Sequence, residues 1–147
     1  MRGYFAIGIY HPKTSTNMGT LWRSAYIFGA SFIFTIGRRY QKQASDTVKA
    51  YRHIPLYNFL DFQDFHKFLP YDCQIVCVEI ADNSIALHKF NHPERAIYLL
   101  GAEDEGIPKE ILENYQIIQI ISDLPFCLNV AVAGSIVMHD RFIKEGQ

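Results

Sequence analysis

The chain of 147 residues is poor in cysteine, lacks long apolar runs and carries almost no net charge. Its three cysteines, Cys73, Cys77 and Cys127, form no even framework, so they read as buried thiols rather than a disulfide scaffold. The Cys73/Cys77 spacing has no second pair to complete a zinc site, and none of the six histidines is spaced as a ligand pair, so no metal is expected. No stretch of about 18 uncharged apolar residues occurs, and no signal-type run follows Met1. Neither a membrane span nor export is therefore expected, and the chain reads as cytoplasmic. Internal repeats, low-complexity segments and linkers are also missing. What is there is 49% apolar residues in the length of one ordinary domain, enough to bury a substantial core without disulfides or metal. A single domain over residues 1–147 is expected.

The net charge of -1 conceals an asymmetry. Residues 1–55 carry eight lysines and arginines against Asp46 alone, a balance of +7; the remaining 92 carry six against 14 acids, a balance of -8. A basic half suits a polyanion such as RNA, and Tyr40, Tyr51 and His53 interleave with Arg38, Arg39, Lys42 and Arg52 in a mix suited to phosphate contact and base stacking. The other reading is that folding intermixes these charges on one surface.

Apolar and β-branched runs predict strands at residues 4–10, 31–36, 73–80, 96–100 and 117–121. Between them, Thr16 or Asn17 can cap a helix carrying Leu21, Trp22, Ala25, Ile27 and Phe28 and ending at Gly29. Phe62, Phe65 and Phe68 recur at helical spacing before Pro70, a stripe that reads as core. Pro108 suits the first turn of a helix reaching about Asn114. Residues 37–46 are polar and basic without a period and read as a functional loop. Residues 128–142 are apolar nearly all round, so that helix must be covered on two sides, by the sheet and by another subunit. Strands alternating with helices over short links predict an α/β domain with a mostly parallel sheet flanked by helices.

Three segments sit at predicted strand-to-helix junctions, where open α/β sheets place ligands. The turn Gly101-Ala102-Glu103-Asp104-Glu105-Gly106 carries three carboxylates that repel phosphate, so it suits a ligand with cationic character, such as the sulfonium and amino group of S-adenosylmethionine; it also reads as a solvated acidic turn. In Asn17-Met18-Gly19-Thr20-Leu21-Trp22-Arg23, the guanidinium can bind a phosphate bidentately while Asn17 caps the helix or orients the loop. In Phe126-Cys127-Leu128-Asn129, the Asn129 amide must cap the last helix or satisfy something beside it.

These segments, in this order, resemble the three motifs of the SpoU/TrmH family of RNA 2′-O-ribose methyltransferases, in the SPOUT superfamily. Asn17-x-Gly19-x-x-x-Arg23 is similar to the first, Gly101-x-Glu103-x-x-Gly106 to the second, and Leu128-Asn129 with Val130-Ala131-Val132-Ala133 to the third. The resemblance spans about residues 4–142 and implies a C-terminal deep trefoil knot, which composition and periodicity do not show. It further implies S-adenosylmethionine as cofactor, held by Gly101, Ile121, Leu128, Val78 and Cys127, and a homodimer through the C-terminal helix. The implied reaction moves a methyl group to a ribose 2′-hydroxyl of RNA, with tRNA expected over rRNA. Arg23, Asn17, Glu103 and Asn129 would form the catalytic site. Because an arginine, with a pKa above about 12, is a poor base, charge stabilisation of the developing alkoxide is the expected role of Arg23. Two features depart from the family pattern: Cys127 stands where serine is usual, and residues 122–126 are about two residues short. They leave a catalytically silent RNA-binding protein as the alternative. A small-molecule methyltransferase is a third reading.

Overall fold

A computed structural model describes residues 3–38, 49–102 and 104–145. Glu103 and the basic-loop residues Arg39, Tyr40 and Lys42 lie outside them.

Among the described residues, seven strands, β1 (Tyr4–Tyr10), β2 (Ile33–Ile36), β3 (Leu56–Phe59), β4 (Gln74–Val78), β5 (Ile85–Ala86), β6 (Arg95–Gly101) and β7 (Gln116–Gln119), form one sheet in the order β3-β2-β1-β6-β4-β7-β5. All six pairings are parallel. β3 and β5 were not expected from the sequence. Both are short edge strands without a continuous apolar run, which is how an edge that needs cover on only one side reads. The register sets Tyr10 beside Gly101 and Leu100 beside Val78, so the carboxyl ends of β1, β6 and β4 finish level.

A parallel sheet is covered on both faces, and alternation along β6 shows the division. Tyr98 and Leu100 join Ile7, Ile9 and Val76 beneath α1 (Ser15–Phe28) and α4 (Val130–Glu145). Ile97 and Leu99 join Phe34, Ile75 and Cys77 on the opposite face, where α2 (Phe62–Phe68) and α3 (Lys109–Leu112) lie. The phenylalanine stripe is core as expected, with Phe65 stacked on Phe34 at 4.6 Å between ring centroids.

Two expectations are corrected. α1 begins earlier than Thr16 or Asn17: Thr14, in extended conformation, is the N-cap, and its Oγ1 accepts from the Asn17 N–H at 3.5 Å. Four capping-competent residues in a row, Thr14 to Asn17, leave the start to whichever one the loop holds extended, and that is Thr14. Gly29 ends α1 in the left-handed region, as expected. The last helix is also not apolar all round. Arg141 is 2% exposed, donating to the carbonyls of Pro93 and Glu94 and to the Tyr98 hydroxyl, with its guanidinium 5.0 Å from the Phe5 ring centroid. Among the described residues, no helix is long and apolar enough to cross a membrane.

Candidate active site

A cavity of about 390 Å³ opens beyond the carboxyl ends of β4, β6 and β7. That position follows from the sheet: strands diverge in sequence order around β6, and backbone groups at their ends are free to meet a ligand. The volume falls in the range of small-molecule sites, about 300–1,000 Å³. The walls are mainly apolar, from Val78, Leu100, Ile120, Phe126, Leu128 and Val130, with Gly101 and Gly106 on one side.

The glycine turn is built by close backbone approach. A Cβ on Gly101 would stand 2.7 Å from the Gly106 backbone, and Ala102 and Gly106 form an isolated antiparallel bridge. Gly106 has φ +68°, which favours glycine, and its bare Cα makes room for the Glu79 carboxylate: a Cβ there would stand 2.5 Å from Glu79 Oε2. That oxygen accepts from the Ile107 N–H at 2.9 Å and fixes the exit of the turn. Glu79 was missed in the sequence because its partner lies 28 positions away; the available signal was an acid directly after the apolar run of β4. Burial, assisted by the charge of Glu79, pushes the neighbouring Cys77 thiol up to about 12.

At the turn's outer side, Lys13 Nζ lies 3.0 Å from Glu105 and 3.7 Å from Asp104, so the loop before α1 is tied to the loop after β6. The two oppositely charged portions of the chain thus meet here, and part of the basic excess is neutralised locally.

Asn17 and Asn129 are brought together across 112 positions. Asn129 Nδ2 donates to Asn17 Oδ1 at 3.0 Å, while Asn129 Oδ1 accepts from the N–H groups of Ala131 and Val132 at 3.0 and 3.2 Å. The amide therefore caps α4 and also orients Asn17. Asn129 stands between Leu128 and Val130, both of which line the cavity. Arg23 is exposed two turns into α1 and is not among the lining residues.

Of the expected cofactor residues, Val78, Gly101, Cys127 and Leu128 line the cavity. Ile121 is 59% exposed and outside the lining; its neighbours Ile120 and Ser122 take that place, because successive residues of an extended chain face opposite ways. Cys127 is an exposed free thiol. Among the described residues, no cluster of acids, histidines and cysteines is arranged for a metal.

The model of the SpoU rRNA methylase family matches residues 4–139. The chain belongs to this family. Among solved structures, the SpoU-family chain is similar to one concerned with the 2-OH methylation of C/U34 on tRNA, with TM-score 0.82 and 22% identity over 97% of this chain and 96% of that one. It is similar to the AdoMet-bound rRNA methyltransferase of Sinorhizobium meliloti, with TM-score 0.86 and 20% identity over 98% of this chain and 57% of that one. The TrmH/SpoU tRNA modifying enzyme of A. aeolicus matches with TM-score 0.81 and 18% identity, over 97% of this chain and 77% of that one. The shared property at these identities is the fold, and the SpoU-family chain spans little more than half the length of the S. meliloti protein. No curated protein matches it at a significant level.

Proposed function

We propose that the protein transfers a methyl group from S-adenosylmethionine to a ribose 2′-hydroxyl of tRNA and acts as a homodimer. The observation that carries this reading is the cavity at the ends of β4, β6 and β7: its walls include the glycine turn and Ile120, Ser122, Phe126, Cys127 and Leu128, and Asn129, bonded to Asn17, stands between the lining residues Leu128 and Val130. The cavity fits the cofactor in chemistry as well as size. Among the described residues its lining holds no lysine, arginine or histidine, so it suits a sulfonium and not a nucleotide phosphate. When bound, the cofactor supplies an electrophilic methyl group; Val78, Gly101, Leu128 and the neighbouring backbone hold it against apolar walls.

The chain's own residues then align an in-line displacement. Asn17 and Asn129, fixed to each other and to the start of α4, present amide groups for the ribose. Arg23 stabilises charge on the 2′-oxygen and the adjoining phosphate as the hydroxyl proton leaves to solvent. Arg23 shares the outward side of α1 with Ile27, which is 61% exposed, and α4 leaves Val132, Ile136 and Ile143 exposed at helical spacing. A second copy seated on these residues sets Arg23 at the subunit boundary, where it serves the partner's cavity rather than its own. The trefoil knot belongs to the same proposal, supported by the insertion of β6 between β1 and β4 and of β7 between β4 and β5.

The test is methyl incorporation from labelled cofactor into bulk tRNA, with the modified nucleotide located by ribose-methylation mapping. Incorporation that falls at least about a hundredfold in Arg23→Ala, a size ordinary for loss of one charge-stabilising group, is expected. RNA affinity that survives Arg23→Ala, with no incorporation by the wild type, would instead establish the silent RNA-binding protein.

A further inference from the structure

Among the described residues, three acids line the cavity: Glu79, Asp104 and Glu105. Lys13 answers the last two. Glu79 is different: among the described residues it forms no ion pair with lysine, arginine or histidine. Its two oxygens are oriented by backbone alone, Oε1 accepting from Ile80 N–H at 3.2 Å and Oε2 from Ile107 N–H at 2.9 Å. The space left by Gly106 seats the carboxylate against the turn. It is thus a fixed negative charge, flanked along the chain by Val78 and Ile80 and facing a cavity whose walls are largely apolar. In such surroundings a charge acts on a ligand more strongly than it would in bulk water.

We propose that Glu79 is a specificity-determining residue, distinguishing the sulfonium of the methyl donor from the neutral thioether of the spent product. This rests on the cofactor reading given above. In the transfer, the 2′-oxygen forms a bond to the methyl carbon, the carbon–sulfur bond breaks with its electron pair going to sulfur, and the hydroxyl proton departs to solvent. The ligand left in the cavity has lost one positive charge, while its α-ammonium and carboxylate are unchanged. The attraction that Glu79 exerts on the donor is thereby lost at the moment of reaction, which favours release of product and entry of fresh donor. Asp104 and Glu105, already compensated by Lys13, contribute little to that difference.

The readout is the ratio of dissociation constants for S-adenosylmethionine and S-adenosylhomocysteine, measured by isothermal titration with the whole protein. Glu79→Gln keeps an oxygen acceptor for Ile107 and removes the charge. It is expected to weaken S-adenosylmethionine about tenfold while leaving S-adenosylhomocysteine within about twofold, as suits one charge–charge interaction at partly screened range. Glu79→Asp retains the charge one methylene further back, should hold an intermediate ratio, and supplies the answer if the glutamine variant does not fold. Equal weakening of both ligands by Glu79→Gln overturns the proposal and reduces Glu79 to a brace for the turn, as does no change in either. A folded wild type that binds neither ligand overturns the cofactor reading itself and this inference with it.

Discussion

The side chain of Asn129 divides its amide between two elements, with its oxygen on the first N–H groups of α4 and its nitrogen on Asn17. The two halves can be separated chemically. Asn129→Asp keeps an acceptor for the helix, where a carboxylate also suits the dipole, but loses the donor to Asn17. Asn129→Ala loses both. In urea unfolding, the alanine variant should be about 1 kcal/mol less stable than wild type and the aspartate variant close to it. Methyl transfer should be lost in both, because the aspartate no longer orients Asn17 and adds a negative charge where the proposed substrate would bring its ribose-phosphate; an aspartate variant of wild-type activity would remove Asn129 from the site. Both asparagines were legible as functional candidates because an amide at a helix start is a local signal. Their contact was not legible, nor was Glu79, since each is made by chain segments that only the sheet order brings together. Ile121 shows the same limit at its smallest scale: one step of chain direction decides whether residue 120 or 121 faces the cavity.

At the level of elements, the sequence showed where the long apolar strands lie but not how the last helix is held. Its inner half packs by apolar contact, with Val130, Ala131, Val137 and Met138 buried. Its outer half is held by a polar network that apolar periodicity cannot reveal. His92 Nε2 lies 2.7 Å from Asp140 Oδ2, His92 Nδ1 lies 2.6 Å from the Tyr98 hydroxyl, and Lys144 reaches both Asp140 and the carbonyls of Leu87 and Phe90. A neutral His92 satisfies every partner: Nε2–H donates to Asp140, the Tyr98 O–H donates to Nδ1, and the same hydroxyl oxygen accepts from Arg141. A protonated ring would strand the Tyr98 proton, because Nδ1 could no longer accept it. Burial lowers the His92 pKa below 6.5, with Asp140 opposing and Lys144 and Arg141 adding to the shift. The stability that His92 contributes is therefore complete above pH 6.5 and is lost as pH falls from there toward its lowered folded value. Glu145, raised by burial, acts in the opposite sense at acid pH, so the comparison must be differential. The melting temperature of wild type should fall more steeply between pH 7.5 and about 5 than that of His92→Gln; parallel curves would show that His92 does not titrate against folding.

For the whole molecule, the question is where Arg23 acts. It sits on α1, which starts at the level of the cavity and runs back along the sheet; by a rise of about 1.5 Å per residue it lies about 9 Å along the axis from Asn17. It is exposed, while the cavity of its own chain is lined by other residues. The exposed strip of Val132, Ile136 and Ile143 on α4, with Ile27 on α1, is what a symmetric partner would cover. Ile136→Glu places a charge in that strip at a position 37% exposed, so it should cost the monomer fold little and reduce a sedimentation mass of twice 17.0 kDa to 17.0 kDa. The sharper test mixes two inactive variants. Arg23→Ala removes the guanidinium and leaves the cavity intact; Leu128→Arg puts a cation into the cavity at an exposed position and leaves Arg23 in place. If each site joins one chain's cavity to the other chain's Arg23, a mixed dimer regains one intact site of two. With half the dimers mixed, the solution should recover roughly a quarter of the wild-type rate. If Arg23 works within its own chain, the mixture stays inactive, because each chain then lacks one half of its own site. Recovery must also disappear when Ile136→Glu is added to both variants, since the rescue depends on assembly and not on the two chains merely being present together.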